Sequence, residues 1–328
     1  MKFIAFDLEG PLAVQDNAYE LMKLFPGGDR VFEIISRYDD LLTLEGRPGY
    51  EPGDTLALIA PFLIYHGVKE EDISALARKA TLVSGAQRLI LQLNTSGWKV
   101  FCISTSYQQY ARHIANRLNI FSQNLACTSF PVDELRQLIS KDDFQLIEAL
   151  EAELLSLESP DDVFIRDRLD RFYWRDIQKT SLARVLEKVK PIGGARKVQA
   201  LEQFAHSYRQ PLSTWVVVGD SITDFKMLKT VDAAGGLAVA FNANQYALPY
   251  ATVGLASTHL DDLLPVLETW SKGGRQAVEK LVRQKETTGG SDNRDHFHWV
   301  SGRGDITAPL EIHLKIRKIV RQEAAKLG

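Results

Sequence analysis

The sequence has few cysteines and no long apolar run. Its 328 residues include two cysteines, Cys102 and Cys127, and each lies in a short apolar run typical of a buried strand. We interpret both as small apolar core residues, so we expect neither a disulfide nor a cysteine metal site. No apolar run approaches the ~18 residues of a membrane span, and no cationic leader precedes the first apolar run. These features predict a soluble, cytoplasmic protein with no membrane partner.

The chain also lacks an excess of charge of either sign. It has 39 Lys and Arg against 42 Asp and Glu, for a formal net charge of -3. Such a balance provides no electrostatic reason to expect a nucleic-acid partner. Hydrophobic residues at 45% and charged residues at 25% are ordinary for a globular protein. The length allows two or more domains, and oligomeric state cannot be read from these numbers.

Short apolar runs do recur along the chain, and helical patterns separate several of them. The helices are predicted from apolar residues at helical spacing, as over 86–94, 107–118 and 195–208. Buried strands that alternate with helices are typical of a parallel sheet covered on both faces. We therefore predict an α/β fold with a doubly wound parallel sheet, whose strands lie at 3–6, 100–103, 125–128, 214–218, 237–241 and 251–255.

Two helical segments interrupt this alternation. Residues 15–83 and 129–189 show helical spacing and turn signals but no strand alternation, and we interpret them as two insertions. Residues 271–328 have a different, strongly charged character and are predicted as a helical extension. The domain prediction is therefore a catalytic core of 1–14, 84–128 and 190–270, the two helical insertions as caps, and the C-terminal extension.

Carboxylates follow two of the predicted strands. Asp7 and Glu9 come directly after the first strand, and Asp220 and Asp224 follow the strand at 214–218. The carboxyl ends of parallel strands open into one crevice, so we expect these acids to lie together. Four acids in one crevice need a counter-charge, and a hard divalent cation such as Mg²⁺ suits oxygen ligands. The alternative is a pair of polar turns, with Asp224 as a helix cap.

Hydroxyl groups follow a third strand. Ser104 and Thr105 come after the strand at 100–103, just ahead of a predicted helix. A hydroxyl and backbone N–H groups at a helix start suit an anion, although Ser104 can equally be a helix cap. The sequence thus places a candidate anion site beside the candidate cation site.

These motifs resemble those of the haloacid dehalogenase-like (HAD) phosphotransferase superfamily. Asp-Leu-Glu-Gly-Pro-Leu at 7–12 is similar to its first motif, Ser104 to its second, and Gly-Asp-Ser-Ile-Thr-Asp at 219–224 to its fourth. The third motif is a single lysine. Lys197, 23 residues before Asp220, is our choice for it, with Lys190 as the alternative. The resemblance covers about residues 1–14, 84–128 and 190–268.

The resemblance implies a role for each residue. Asp7 would be the nucleophile that accepts the phosphoryl group, and Glu9 would protonate the leaving oxygen and then activate water. Mg²⁺ would be held by Asp7, the backbone carbonyl of Glu9 and Asp220, with Asp224 as a ligand or as the partner of a bound water. Ser104 and Thr105 would bind the phosphoryl oxygens, and Lys197 would offset charge on the nucleophile and the phosphate.

The resemblance has one departure. The family usually has aspartate where this chain has Glu9, although a branch near phosphoserine phosphatase carries Asp-Leu-Glu-Gly. We therefore expect a Mg²⁺-dependent phosphohydrolase of a small phosphorylated metabolite. The alternatives are a phosphotransferase of the phosphoserine and homoserine type, and a catalytically silent subunit that uses the fold for assembly.

Two further segments leave alternatives open. The charged and aromatic residues at 166–176 are either a substrate clamp or a solvated face of alternating charge. His296 and His298 have the spacing of one strand face, which allows a metal pair, but with no further Cys or His nearby we favour a packed aromatic segment.

Overall fold

Seven strands form one sheet in the computed structural model, which describes residues 2–158 and 160–326. The first six strands run parallel, and the last is antiparallel to its neighbour. The α/β prediction is confirmed. The strands are β1 (Lys2–Phe6), β2 (Trp98–Tyr107), β3 (Leu125–Thr128), β4 (Trp215–Gly219), β5 (Leu237–Phe241), β6 (Val253–Ala256) and β7 (His296–Trp299).

The sheet buries both of its faces. Side chains alternate along a strand, so Ile4 and Phe6 of β1 pack into one apolar core while Phe3 and Ala5 pack into another. This two-sided burial explains why the central strands are continuous apolar runs rather than alternating ones.

The structure describes fourteen α-helices. The longest of them, α13 (Leu264–Thr288), is interrupted at Gly274, where φ is +63°. The α-helices are α1 (Asn17–Met22), α2 (Gly28–Glu45), α3 (Thr55–Tyr65), α4 (Glu70–Lys79), α5 (Ala86–Thr95), α6 (Gln108–Arg117), α7 (Val132–Arg136), α8 (Phe144–Ser156), α9 (Asp162–Arg171), α10 (Ala183–Lys188), α11 (Ala195–Ser207), α12 (Phe225–Ala233), α13 (Leu264–Thr288) and α14 (Thr307–Arg321).

The order of the strands determines where a site can form. That order is β3-β2-β1-β4-β5-β6-β7, so the chain winds outward in one direction from β1 and in the other from β4. The crevice at such a reversal, outside the carboxyl ends of the strands, is where ligands bind in open α/β sheets. Asp7 follows β1 and Asp220 follows β4, and the two acids therefore flank this crevice.

The two predicted insertions pack against each other. The Arg37 guanidinium of α2 pairs with Asp162 at the start of α9 at 2.7 Å, and the Trp174 indole donates to the Tyr38 hydroxyl at 2.8 Å. Asp170 accepts hydrogen bonds from Tyr38 and Arg47. Much of the charged segment 166–176 therefore joins one helical insertion to the other, rather than facing solvent alone. Their boundaries as domains stay a prediction.

The C-terminal extension contains a strand as well as helices. We predict residues 271–328 to be helical, and this is wrong for β7 (His296–Trp299), which pairs antiparallel with β6 and covers that edge of the sheet. Four residues that include two histidines are too short and too polar to stand out as a strand. Residues 296–299 form a strand because they pair with β6, and their composition alone does not predict it.

The two histidines of β7 have different surroundings. Among the described residues, a grouping of three or more potential metal ligands occurs at Asp7, Asp220 and Asp224 and does not include a histidine. His298 is buried and lies beside His313 of α14, with 5.7 Å between the ring centroids, while His296 contacts the backbone carbonyl of Asp292 at 3.0 Å. The packed aromatic interpretation fits this environment.

We predict that His313→Asn changes the pH dependence of stability. His313 is fully buried and its Nδ1 accepts the Ala243 N–H at 3.0 Å; burial, with His298 nearby, lowers its pKa well below the ordinary value. Below about pH 6.5 the unfolded chain binds a proton that the folded chain refuses, so the stabilisation present above that pH is lost as the pH falls. Urea unfolding at two pH values measures this effect.

The expected result is a difference between the wild type and His313→Asn. From pH 7.5 to 5.5 the wild type should lose about 1 kcal/mol more unfolding free energy than the variant, since asparagine offers an acceptor to Ala243 without titrating. His206→Asn, at an exposed position, is the control and should follow the wild type. If all three proteins lost the same unfolding free energy between the two pH values, the result would contradict a neutral, buried His313.

None of the described helices has the length and apolar composition needed to cross a lipid bilayer.

Candidate active site

Three buried carboxylates meet at the crevice. Asp7, Asp220 and Asp224 each offer one oxygen, and these oxygens lie within 4.8 Å of one another. Their side chains are between 0% and 3% exposed by residue. Such burial of three acids is unfavourable without compensating cations, because each ionised carboxylate loses its hydration. The structure thus brings together three of the four acids expected from the sequence.

Lys197 compensates two of these acids. It lies on the first turn of α11, is fully buried, and places Nζ 2.8 Å from Asp7 Oδ1 and 2.7 Å from Asp224 Oδ1. Burial alone lowers the pKa of this ammonium, but Asp224 and Asp7 outweigh it and hold the pKa above the usual value. Lys197 is therefore charged. The other candidate lysine, Lys190, lies at an exposed position.

Asp224 organises the loop after β4. Its Oδ2 accepts the backbone N–H groups of Asp220 at 3.0 Å and Ser221 at 3.1 Å, while Oδ1 accepts from Lys197. Both oxygens are thus engaged by the protein. This residue is a loop-organising carboxylate as well as a neighbour of the other two acids.

Asp220 leaves one oxygen without a partner. Its Oδ1 is buried and has no hydrogen-bond partner among the described residues, whereas Oδ2 accepts from two arginines of α14, Arg317 and Arg321. An orphaned buried carboxylate oxygen is unfavourable and calls for a ligand. It is the position in the cluster most open to a metal ion.

Gly10 allows the first loop to approach Asp220. Its φ of +99° is a conformation that side chains disfavour, and a Cβ there would stand 2.3 Å from Asp220 Oδ2. The glycine of the first motif is therefore required by close approach, because any larger residue would push the two strand ends apart.

Asp7 has a perturbed titration. Burial, followed by the charge of Asp224, raises its pKa well above the usual value, and Lys197 opposes the shift. The shift therefore reflects the lost hydration of the Asp7 carboxylate together with the neighbouring charge of Asp224. A bound cation would reverse it, because a metal ion is the largest local charge in such a site.

Glu9 occupies a different environment from the three acids. Its Oε1 accepts the Ser106 hydroxyl at 2.5 Å and the Asn17 N–H at 2.9 Å. Burial, and then the nearby charge of Asp16, raise the pKa of Glu9 to about 8. A carboxyl group with this pKa carries its proton near neutral pH, which is the state that a general acid requires.

The three hydroxyl residues near the end of β2 make different contacts. Strand β2 runs on to Tyr107, beyond the predicted end at 103, and Ser104 Oγ is buried and accepts the Ser106 N–H at 3.0 Å. Thr105 lines the cavity that reaches Asp7 and Glu9. Ser106, which the sequence prediction did not include, holds Glu9. Because strand register determines which hydroxyl faces which side, the run of three hydroxyl residues alone could not assign these contacts.

The first insertion covers the acids. A cavity of about 70 Å³ lies over Asp7 and Glu9, and α2 and the start of α3 form its other wall. Asp39 connects α2 to the loop before α3, because its carboxylate accepts hydrogen bonds from the Tyr50 hydroxyl at 2.6 Å and from the Gly53 N–H at 3.1 Å. Burial raises the pKa of Asp39 to about 7. The site is small and acidic.

Two arginines of the extension reach the same site. Arg317 and Arg321 are 1% and 5% exposed, and both contact Asp220 Oδ2, the latter at 3.1 Å. Sequence reasoning missed them because α14 carries charge on most of its circumference. The only signal was their spacing of four residues, which places two cations on one helix face.

The donor set fits a hard divalent cation. Asp7 and Asp220 offer carboxylate oxygens, Asp220 Oδ1 is an orphaned buried acceptor, and nitrogen or sulfur ligands are lacking among the described residues of the cluster. Oxygen-only donors favour Mg²⁺ over zinc. The arginines act in the opposite sense, because they already neutralise part of the charge that would attract an ion.

Comparison with solved structures defines the fold. Two structures of phosphoserine phosphatase, one in apo form and one described as a phospho-aspartyl intermediate analogue, superpose with TM-scores of 0.52 and 0.53. They are 17% and 18% identical to this chain, and the matches cover 80% of it and 98% and 97% of the phosphatases. At this identity the likeness shows the fold, and it agrees with the motifs.

The gene product AF1437 from Archaeoglobus fulgidus is 30% identical to this chain, with a TM-score of 0.84 over 100% of this chain and 99% of that one. The chain belongs to the same family as that protein, and its fold agrees with the resemblance of its motifs to the haloacid dehalogenase-like superfamily. No family model and no curated protein matches the sequence.

Proposed function

We propose that this protein is a Mg²⁺-dependent phosphohydrolase of a small phosphorylated metabolite, which acts through an aspartyl-phosphate on Asp7. The observation that carries the proposal is Lys197, whose buried ammonium joins Asp7 to Asp224 beside the orphaned oxygen of Asp220. A purely structural role gives no reason to bury these charges together at the strand-order reversal.

The residues of the site suit such a reaction. Asp7, Asp220 and the backbone carbonyl of Glu9 would hold the ion, with Asp224 ligating it or orienting a bound water. When bound, Mg²⁺ supplies positive charge that offsets the phosphoryl oxygens. Thr105 lines the cavity and Ser104 lies beside it in sequence, and these hydroxyl residues are our candidates for binding the phosphoryl group.

Two transfers complete the proposed mechanism. The Asp7 carboxylate attacks phosphorus, the bond from phosphorus to the leaving oxygen breaks, and Glu9 donates its proton to that oxygen. Water then attacks phosphorus with Glu9 accepting a proton, so that inorganic phosphate leaves and Asp7 is regenerated. The raised pKa of Glu9, about 8, supports its role as the acid.

The cavity supports a small substrate. Its volume of about 70 Å³ leaves little room beyond a phosphoryl group, and the carboxylates of Asp16, Asp39 and Asp40 line it. A bulky or strongly anionic leaving group would meet both steric and electrostatic opposition there. The metabolite itself must be found by screening.

A catalytically silent subunit is the second candidate function. The observation that favours it is the pair of arginines on Asp220, which supply positive charge where the ion would act. A phosphotransferase would share the chemistry of the first transfer and differ in the acceptor of the second. Activity with a generic substrate separates the enzyme from the silent subunit.

We expect the purified protein to release phosphate from p-nitrophenyl phosphate with Mg²⁺ present. Removal of the ion with EDTA should abolish release and re-addition of Mg²⁺ should restore it, because the phosphoryl oxygens then lose and regain the positive charge that the ion supplies. A screen of small phosphorylated metabolites, with phosphoserine among them and homoserine as an added acceptor, then tests substrate and transfer. Absence of turnover throughout, together with stable co-purification of a partner, would favour the silent subunit.

A further inference from the structure

The last long helix inserts two cations into the candidate active site. Arg317 and Arg321 lie one turn apart on the same face of α14, and both guanidinium groups contact Asp220 Oδ2. Neither arginine belongs to the motifs that identify the superfamily. Their effect on the acids therefore has to be argued from their contacts.

Arg317 is anchored to the body of the protein. Its guanidinium approaches the backbone carbonyls of Asp220 and Asn242 at 3.3 Å each and that of Ala325 at 3.3 Å. The side chain is 1% exposed. Its many backbone contacts mark it as the fixed member of the pair.

Arg321 makes fewer contacts with backbone carbonyls than Arg317 does, and it faces the cavity. Beyond Asp220 it reaches the Val14 carbonyl at a long 3.4 Å, and it lines the cavity together with Asp7, Glu9 and Asp16. The charges of Asp220 and Asp16 keep the pKa of Arg321 high despite its burial. It is a buried, charged group that borders both the cavity and the acid cluster.

The charges of the cluster balance without any ion. Asp7, Asp220 and Asp224 carry three negative charges when ionised, and three cations touch them, namely Lys197, Arg317 and Arg321. The two arginines supply the same double positive charge that a divalent ion brings. In a poorly screened site, a cation a few ångströms from the ion opposes its binding strongly.

We propose that Arg321 sets the divalent-cation affinity of the site by competing with the ion for Asp220. Arg321 holds Asp220 Oδ2, so its positive charge opposes an ion that binds the free Oδ1 of the same carboxylate. Withdrawal of this guanidinium, with Arg317 in place, would favour binding of the ion. This inference rests on the proposed metal site at Asp7 and Asp220. It makes the C-terminal helix part of the active site rather than an appended element.

The test measures metal binding directly. Mg²⁺ is titrated by calorimetry into the full-length wild type, Arg321→Met and Lys318→Met, and the dissociation constants are compared. Removal of the competing charge should tighten binding to Arg321→Met about tenfold or more. Lys318 lies on the exposed side of the same helix, so Lys318→Met removes an equal charge at a distance and should leave the constant unchanged.

A second measurement follows the helix itself. Hydrogen exchange of backbone amides at 317–326 should become faster when Mg²⁺ binds the wild type, because the hold of Arg321 is released. Arg321→Lys keeps the charge with fewer hydrogen bonds and should show an intermediate affinity. It also serves as the test if Arg321→Met does not fold, as judged by circular dichroism.

The possible outcomes separate this inference from the proposed function. Equal or weaker Mg²⁺ binding by Arg321→Met would overturn competition and make Arg321 a residue that positions Asp220 instead. Loss of binding in Asp220→Asn with no effect of Arg321→Met would uphold the metal site and refute the role of Arg321. Absence of Mg²⁺ binding by the wild type and by both Arg321 variants would refute the metal site and the inference together.

Discussion

Asp7→Asn should abolish phosphate release, with a fall of about 10³-fold or more in turnover of an aryl phosphate. The asparagine keeps the shape of the side chain but removes the nucleophilic oxygen, so no phosphoryl group can be transferred to it. The fold should survive, because Asp7 is one of two buried acids that share the Lys197 ammonium, and burial followed by the charge of Asp224 already raises the pKa of Asp7 well above its usual value. Stopped-time phosphate assays over a range of enzyme concentration detect the residual rate.

The control for this variant is a carboxylate outside the site. Asp133→Asn removes an equal charge from an exposed position at the start of α7 and should keep full activity. A thermal melt of Asp7→Asn close to that of the wild type rules out unfolding as the cause. Retention of full activity by a folded Asp7→Asn would remove Asp7 from the role of nucleophile.

Lys197→Met should lose both activity and stability. The ammonium is fully buried between Asp7 and Asp224, and its removal leaves two carboxylates facing each other without the cation that joins them. Breaking a buried ion pair from one side costs about 3 to 5 kcal/mol. Urea unfolding measures the stability. Phosphate release measures the activity, at about 10 mM Mg²⁺, which is roughly enough to saturate a weak site.

A second lysine provides the comparison. Lys226 pairs with Glu51 at 2.7 Å, but its side chain is 36% exposed. Lys226→Met should therefore cost no more than about 1 kcal/mol, as expected for exposed ion pairs. If Lys197→Met were as mild as Lys226→Met in unfolding, the buried pair would not carry the energy that its position implies.

The two classes of variant also test different parts of the proposal. Asp7→Asn addresses the bond that forms to phosphorus, whereas Lys197→Met addresses the electrostatic balance of the cluster. An inactive but stable Asp7→Asn together with an inactive and unstable Lys197→Met is the expected pattern. It would assign chemistry to the first residue and charge compensation to the second.

Much of this organisation was predictable from local patterns. Buried parallel strands have to be apolar on both faces, so the apolar runs around Val216 and Ala238 can be recognised as strands. Asp7 and Asp220 were predicted as site residues because ionised carboxylates rarely end such strands without a partner. Lys197 was predicted from the resemblance of the motifs to the haloacid dehalogenase-like superfamily, with Lys190 as the alternative. Strand β7 was missed, since its pairing with β6 depends on contacts that short segments do not encode by themselves.

The sequence by itself determined the α/β class, the acids at the ends of β1 and β4, and the lysine that serves them. The fold class and the acids follow from hydrophobic burial and the cost of burying carboxylates, which local patterns show, whereas the lysine follows from the resemblance of the motifs. Only the tertiary structure decided that Ser106 holds Glu9, that Asp39 fastens the covering wall, and that Arg317 and Arg321 reach Asp220 from the far end of the chain. These contacts join residues that are distant in the sequence, with 101 positions between Asp220 and Arg321. Their energy depends on burial and orientation, which no local pattern in the sequence shows.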